Sequence, residues 1–130
     1  MTSPMQRTIA LYKKRGIKCQ VVERYFPRSK KYPWGCKQDL FNIIDLIALD
    51  HGIVGVQVCG TDWNPHINKI KGQEKENTME WLSQPGARLE LHGWRKVKKK
   101  RGGKAMVWKP RIADFRIFHG DVYCDEREIN

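Results

Sequence analysis

The chain has 130 residues and a mass of 15.3 kDa, enough for one domain that buries about two-thirds of its unfolded surface. Hydrophobic residues make up 40% and charged residues 30%, with 5 Trp, which excludes a disordered chain, and no apolar run nears the ~18 residues of a membrane span. Lys and Arg total 25 against 14 acids, a net charge of +11, and the opening MTSPMQRTIALYKKRG has no secretory pattern, so a cytoplasmic protein with no membrane partner is expected.

Ser3-Pro4-x-Gln6 is a helix start, with Ser as N-cap and Pro at the first helical position, and the helix should run over Pro4–Arg15 to a stop at Gly16. Ile17–Phe26 reads as a strand and Phe26–Gly35 as a loop. Phe41–Leu49 is short and evenly apolar, which predicts a buried strand. Asp50-His51-Gly52 supplies a tight turn, and Ile53–Cys59 is the returning strand of a central hairpin. Asn64-Pro65 opens a short helix that ends at Gly72, and a further helical turn or two covers Thr78–Ser83. Ala87–Trp94 alternates and predicts a strand with one wet face carrying Arg88, Glu90, His92 and Trp94. Ala105–Trp108 and Arg111–Phe118 read as two late strands, and residues 119–130 as an acidic tail. The expected fold is a single α/β domain, residues 1–130, with a mixed central β-sheet and flanking helices.

The positive charge is concentrated. Met1–Lys37 holds ten basic residues and one acid, Glu23, and Arg95–Lys104 holds seven basic residues in ten. Between them, Gln38–Cys59 carries Asp39, Asp45 and Asp50 and no Lys or Arg. Two basic blocks around an acid-bearing apolar centre fit a polyanion-binding surface with a metal site inside it. Lys30, Lys31, Arg95, Lys96, Lys98, Lys99, Lys100, Arg101 and Lys104 are the candidate phosphate contacts. Trp34, Trp63 and Trp94 are the candidate base-stacking residues, Trp63 foremost, with Asn64 beside it as a further nucleic-acid contact, while Trp81 and Trp108 read as core. Cys19, Cys36, Cys59 and Cys124 form no C-x-x-C pair, and the four His are not expected to cluster with them, which argues against a structural zinc site and predicts free buried thiols.

Asp45 is the anomaly. A carboxylate in an apolar strand costs several kcal/mol unless it is paired, protonated or bound to a metal. Gln57 stands on the facing strand, with Cys59 two positions on and on the same side. A structural amide–carboxylate hydrogen bond and a metal site both account for this pair.

With these residues in view, the chain resembles the PD-(D/E)XK, or restriction-endonuclease-like, nucleases, and among them small phage and prophage proteins similar to Holliday-junction resolvases. The resemblance rests on Lys37-Gln38-Asp39-Leu40-Phe41, Asp45-Leu46-Ile47-Ala48-Leu49, Gly55-Val56-Gln57-Val58-Cys59-Gly60, Trp81-Leu82 and Gly93-Trp94-Arg95-Lys96, and spans roughly Lys37–Lys96. Gln57 occupies the position of the family's second acid and Cys59 that of its lysine, and Pro4–Arg15 holds no acid where resolvases tend to carry a Glu.

What the resemblance implies is hydrolysis of DNA phosphodiesters by a metal-activated water. Asp45 would bind Mg²⁺ or Mn²⁺ with Gln57 and the Val58 carbonyl, Glu23 or Asp39 would supply the missing acid, and Lys37 would stand in for the lysine. Branched DNA as substrate and a homodimer would follow. Two further readings stay open: a nucleic-acid-binding module of the same fold whose chemistry has lapsed, and an assembly protein holding an acidic partner.

Overall fold

The structure, a computed structural model, describes residues 2–128. Helix α1, Pro4–Lys14, begins at a complete capping box: the Gln6 N–H donates to Ser3 Oγ, and the Ser3 N–H to Gln6 Oε1. Six strands form one sheet in the order β1 (Lys18–Val21), β4 (Leu46–Leu49), β5 (Ile53–Cys59), β6 (Ala87–Lys98), β7 (Met106–Phe118) and β8 (Asp121–Glu128). β5 and β6 run parallel and every other neighbouring pair runs antiparallel. The parallel step needs a crossover, supplied by α2 (Trp63–Asn68), a π-helical turn (Lys69–Gln73) and α3 (Lys75–Leu82). Two short strands, β2 (Arg24–Phe26) and β3 (Cys36–Gln38), form a separate hairpin around the 27–35 loop. A single α/β domain with a mixed sheet results, as its sequence suggests. No helix among the described residues is long and apolar enough to cross a membrane.

The sheet is covered on both faces. α1 lies over Leu46, Ala48, Val54 and Val56, with Tyr12 sealed against them. The crossover helices cover the other face, where Ile43, Ile44, Trp63, Ile70, Leu89, Leu91 and Phe115 form the larger core. Glycine makes two close approaches possible there. A Cβ on Gly93 would lie 2.5 Å from Trp63 Cε3, and one on Gly55 would lie 2.6 Å from Ile44 Cδ1. The Trp63 ring and the Ile44 side chain therefore rest directly on strand backbone.

Several expectations need correction. The strand foreseen over Phe41–Leu49 begins only at Leu46, because Phe41 and Asn42 adopt left-handed backbone (φ 53° and 62°) in a turn closed by the Leu40 N–H to Ile44 O at 2.8 Å. The strand foreseen over Ile17–Phe26 breaks at Val22–Glu23, whose N–H groups both donate to Asp45 O (2.9 and 3.1 Å). Asp62, not Asn64, caps α2, and the helix continues through the π turn instead of ending at Gly72. The supposed wet face of Ala87–Trp94 is covered by α1: Glu90, His92 and Trp94 are all buried.

The two late strands are one, β7, with Pro110 inside it. Pro110 falls just past Arg111–Glu128, the last β7–β8 pair among the described residues. The acidic tail belongs to the sheet, since 121–128 form β8; residues 129 and 130 lie outside the described residues. All four cysteines are free, but only Cys59 is buried.

Candidate metal centre and nucleic-acid interface

The acid cluster is assembled by backbone. The Asp45 N–H donates to Val56 O at 2.8 Å, which pins Asp45 to the entry of β4 opposite β5. Asp45 O then takes the Val22 and Glu23 N–H groups, so the break between β1 and β2 carries Glu23 to the same place. The turn through Phe41 and Asn42 reverses the chain and returns Asp39 to Asp45. Left-handed backbone at a bulky, exposed Phe is uncommon and is held here by the surrounding ladder. Carboxylate oxygens of Glu23, Asp39 and Asp45 consequently lie within 4.8 Å of one another.

Gln57 reaches in from β5. Its Nε2 donates to Asp45 Oδ2 at 2.6 Å and to Asp39 Oδ2 at 3.2 Å, and the Val58 N–H adds a third bond, to Asp45 Oδ2 at 2.8 Å. The Gln57 Oε1 faces the other way and accepts from Lys69 Nζ at 3.2 Å. Lys69 Nζ also lies 3.7 Å from Asp39 Oδ2, and Lys37 Nζ lies 3.4 Å from Glu23 Oε2. That Glu23 oxygen is buried and accepts no hydrogen bond, so Lys37 is an ion-pair partner only.

Three carboxyl groups this close cannot all ionise cheaply. Burial, with the hydrogen bond to Asp39, pushes Asp45 from the usual 3.8 up to about 8, so at neutral pH its carboxyl is the proton donor to Asp39. Burial would also raise Asp39, but the bonds from Asp45 and Gln57 and the Lys69 and Lys37 charges outweigh it and hold Asp39 below the usual range. The donors are all oxygens, one of them buried and unsatisfied, which suits a hard divalent ion such as Mg²⁺ or Mn²⁺.

The structure therefore brings together four predicted residues, Asp45, Asp39, Glu23 and Gln57, with Lys37 at the rim. Gln57 presents its amide N–H to the acids, and Val58 donates its backbone N–H to Asp45 Oδ2. Lys69 went unforeseen: it stands on the π turn, a feature frequent at functional sites, 12 residues past Gln57 and outside any acid-x-Lys spacing. A cleft of about 490 Å³ opens beside the cluster, bordered by Phe26, Tyr32, Lys37, Asp39, Lys69 and Glu74.

The predicted phosphate contacts fall on two projections. Lys30 and Lys31 are exposed in the β2–β3 loop, alongside Trp34, which is 84% exposed. Arg95, Lys96 and Lys98 line the outer half of β6, and Lys99, Lys100, Arg101 and Lys104 form the turn into β7. Asn64 is exposed on α2. Trp63 cannot stack on a base: it is 6% exposed, seated on Gly93, with the Arg111 guanidinium 4.4 Å above its ring. Trp108, foreseen as core, is 43% exposed and lies under the Arg7 guanidinium at 4.0 Å.

A second polar group lies beneath α1. His92 Nε2 lies 2.9 Å from Glu90 Oε1, Arg127 donates to Glu90 Oε2 at 2.7 Å, and Trp94 Nε1 donates to Thr8 Oγ1 at 2.8 Å. Burial opposes the Glu90 charge, but the bond from His92 and its charge, then Arg127, hold Glu90 down at about 2. These partners satisfy one another, and the group anchors α1 to the sheet.

Comparison with known proteins gives no match: no family model, curated protein or solved structure corresponds significantly to this chain.

Proposed function

We propose that this chain is a metal-dependent endonuclease that hydrolyses DNA phosphodiester bonds on a restriction-endonuclease-like fold. One observation carries the reading. Glu23, Asp39 and Asp45 converge, from three separate segments, beside a cleft bordered by Lys37 and Lys69 on a strongly basic chain. A buried, partly protonated acid cluster destabilises a fold, and a pure binding module has no use for one.

Asp45, Asp39 and Glu23 would hold Mg²⁺ or Mn²⁺. When bound, such an ion supplies an acidified water and offsets charge on the scissile phosphate. Gln57 orients Asp45 and Asp39 through its two N–H donors, and the Val58 N–H fixes the Asp45 oxygen that faces it. Lys69, anchored on Asp39 and Gln57, is placed to stabilise the developing anion, the role the family resemblance assigns to a lysine. Lys37 sits on the opposite flank, on Glu23. Lys30 and Lys31, with the basic β6–β7 ribbon, hold flanking phosphates, which position DNA without reading its sequence. The resemblance to phage and prophage resolvases extends the proposal to branched DNA, cut in the cytoplasm by two copies acting on opposed strands.

The test is cleavage of labelled four-way junction, flap and linear duplex DNA in Mg²⁺ or Mn²⁺, with Asp45→Asn and Lys69→Met alongside. Cutting that needs the metal, vanishes in Asp45→Asn and falls by about 10² in Lys69→Met is expected. No cutting, with tight salt-sensitive binding indifferent to Asp45→Asn, would identify a binding module instead.

A further inference from the structure

A second set of ligand-type side chains lies past the end of β5, separate from the acid cluster. Cys59 closes the strand, Asp62 caps α2, and His66 follows one helical turn later. The Cys59 sulfur, an Asp62 carboxylate oxygen and a His66 ring nitrogen lie within 4.8 Å of one another. A Cys-x2-Asp-x3-His spacing becomes a cluster only because the strand turns straight into a helix at Gly60–Asp62.

Two details set this group apart from chance proximity. An Asp at an N-cap ordinarily accepts the N–H two or three residues on, yet the Asp62 side chain makes no capping bond. The third helical position is Pro65, which has no N–H to give. The freed carboxylate turns to His66 instead, with Oδ2 3.3 Å from Nδ1. His66 Nδ1 lies 2.8 Å from Asp62 O; with that nitrogen donating to the backbone, Nε2 is the ring atom left to bind a metal. Cys59 is 4% exposed, and its sulfur would lie 3.4 Å from a Cβ on Gly93.

We infer that Cys59, Asp62 and His66 bind a borderline transition-metal ion, Zn²⁺ in the first place, with a fourth position left open to solvent. One sulfur, one nitrogen and one oxygen suit Zn²⁺ and not Mg²⁺, which takes oxygen donors and keeps its waters. The three ligands fall within eight consecutive residues, so little chain has to be ordered to close the site. The Zn²⁺ displaces the thiol proton on binding. The ion would clamp the β5–α2 junction, and with it the helical segment that carries Lys69. The site stands or falls independently of the nuclease reading, because it shares no residue with the acid cluster.

Co²⁺ is the probe, since cobalt thiolate coordination gives an intense near-ultraviolet charge-transfer band that oxygen ligands do not. The purified full chain titrated with one equivalent of Co²⁺ should develop that band together with visible bands of tetrahedral cobalt, and Zn²⁺ should abolish both. Cys59→Ser should lose the thiolate band, and His66→Ala should weaken the apparent affinity at least about tenfold. Asp45→Asn should keep the spectrum intact. His66 is only half-buried, so His66→Ala tests the site even where Cys59→Ser fails to fold. No thiolate band at one equivalent, a band that survives Cys59→Ser, or an affinity unmoved by His66→Ala would overturn the assignment.

Discussion

Asp45 is held against its chemical preference. Its folded pKa of about 8 lies above the ordinary 3.8, so the folded chain binds a proton that the unfolded chain has released between those values. Stability contributed by this group is complete below 3.8, declines as pH rises through the window, and is lost above about 8. Asparagine reproduces the protonated acid: its oxygen can accept from Gln57 and Val58, and its amide can donate to Asp39. Asp45→Asn should therefore raise the melting temperature at pH 8 by the equivalent of about 1–3 kcal/mol while abolishing cleavage, and the gain should shrink at pH 4. Thermal unfolding of both proteins at the two pH values checks this; a mutant less stable than wild type at pH 8 would refute the protonated-acid picture.

At this scale Asp45 and Gln57 were legible, because a carboxyl and an amide in apolar segments are anomalies that a sequence exposes. Lys69 was not. Its meaning comes from the π turn that aims it back at Gln57, and nothing in Ile67-Asn68-Lys69-Ile70 distinguishes it from any helical surface lysine.

Among elements, the packing of α2 on β6 turns on one hydrogen atom. Gly93 has no side chain where a Cβ would meet Trp63 Cε3 at 2.5 Å and Cζ3 at 2.9 Å, and both atoms belong to a rigid, buried ring. Gly93→Ala should force the ring off the sheet and cost roughly 1–3 kcal/mol, read as a lower urea midpoint. An unchanged midpoint would show that α2 is free to shift.

The Phe41–Leu49 segment shows why apolar content does not mark where a strand begins. Hydrophobicity marked it as buried, and Ile43 and Ile44 are fully buried, but in a turn that sets Asp39 against Asp45. Apolar content records burial and leaves open how the buried backbone pairs. The covering of Glu90 and His92 by α1 was equally invisible: alternation on β6 suggested water where Tyr12, Thr8 and Arg127 supply polar partners.

For the whole molecule, the net charge of +11 is dispersed over projections and not spread over the core. The β6–β7 ribbon extends past the sheet with its register held from Trp94–Pro110 to Lys98–Met106, carrying basic residues to its tip. Replacing Lys98, Lys99, Lys100 and Arg101 together with Ser should leave the melting temperature unchanged, because all four are exposed. The same change should lower the slope of log affinity against log salt for duplex DNA by up to about 3.6. An unaltered slope would place the DNA elsewhere on the surface.

Composition, charge placement, the α1 capping box, the Asp50–Gly52 turn and the burial of Asp45 were all determined locally, by residues a few positions apart, and the sequence carries them by itself. The acid cluster was not. Glu23, Asp39, Asp45, Gln57 and Lys69 meet through a strand break, a left-handed turn, a hairpin register and a helical crossover, and each depends on backbone hydrogen bonds between distant segments. The same holds for Cys59, Asp62 and His66, near in sequence but brought into mutual reach only by a strand passing directly into a helix. Local propensity sets which residues are buried or capped; only the closed sheet decides which buried polar groups face one another.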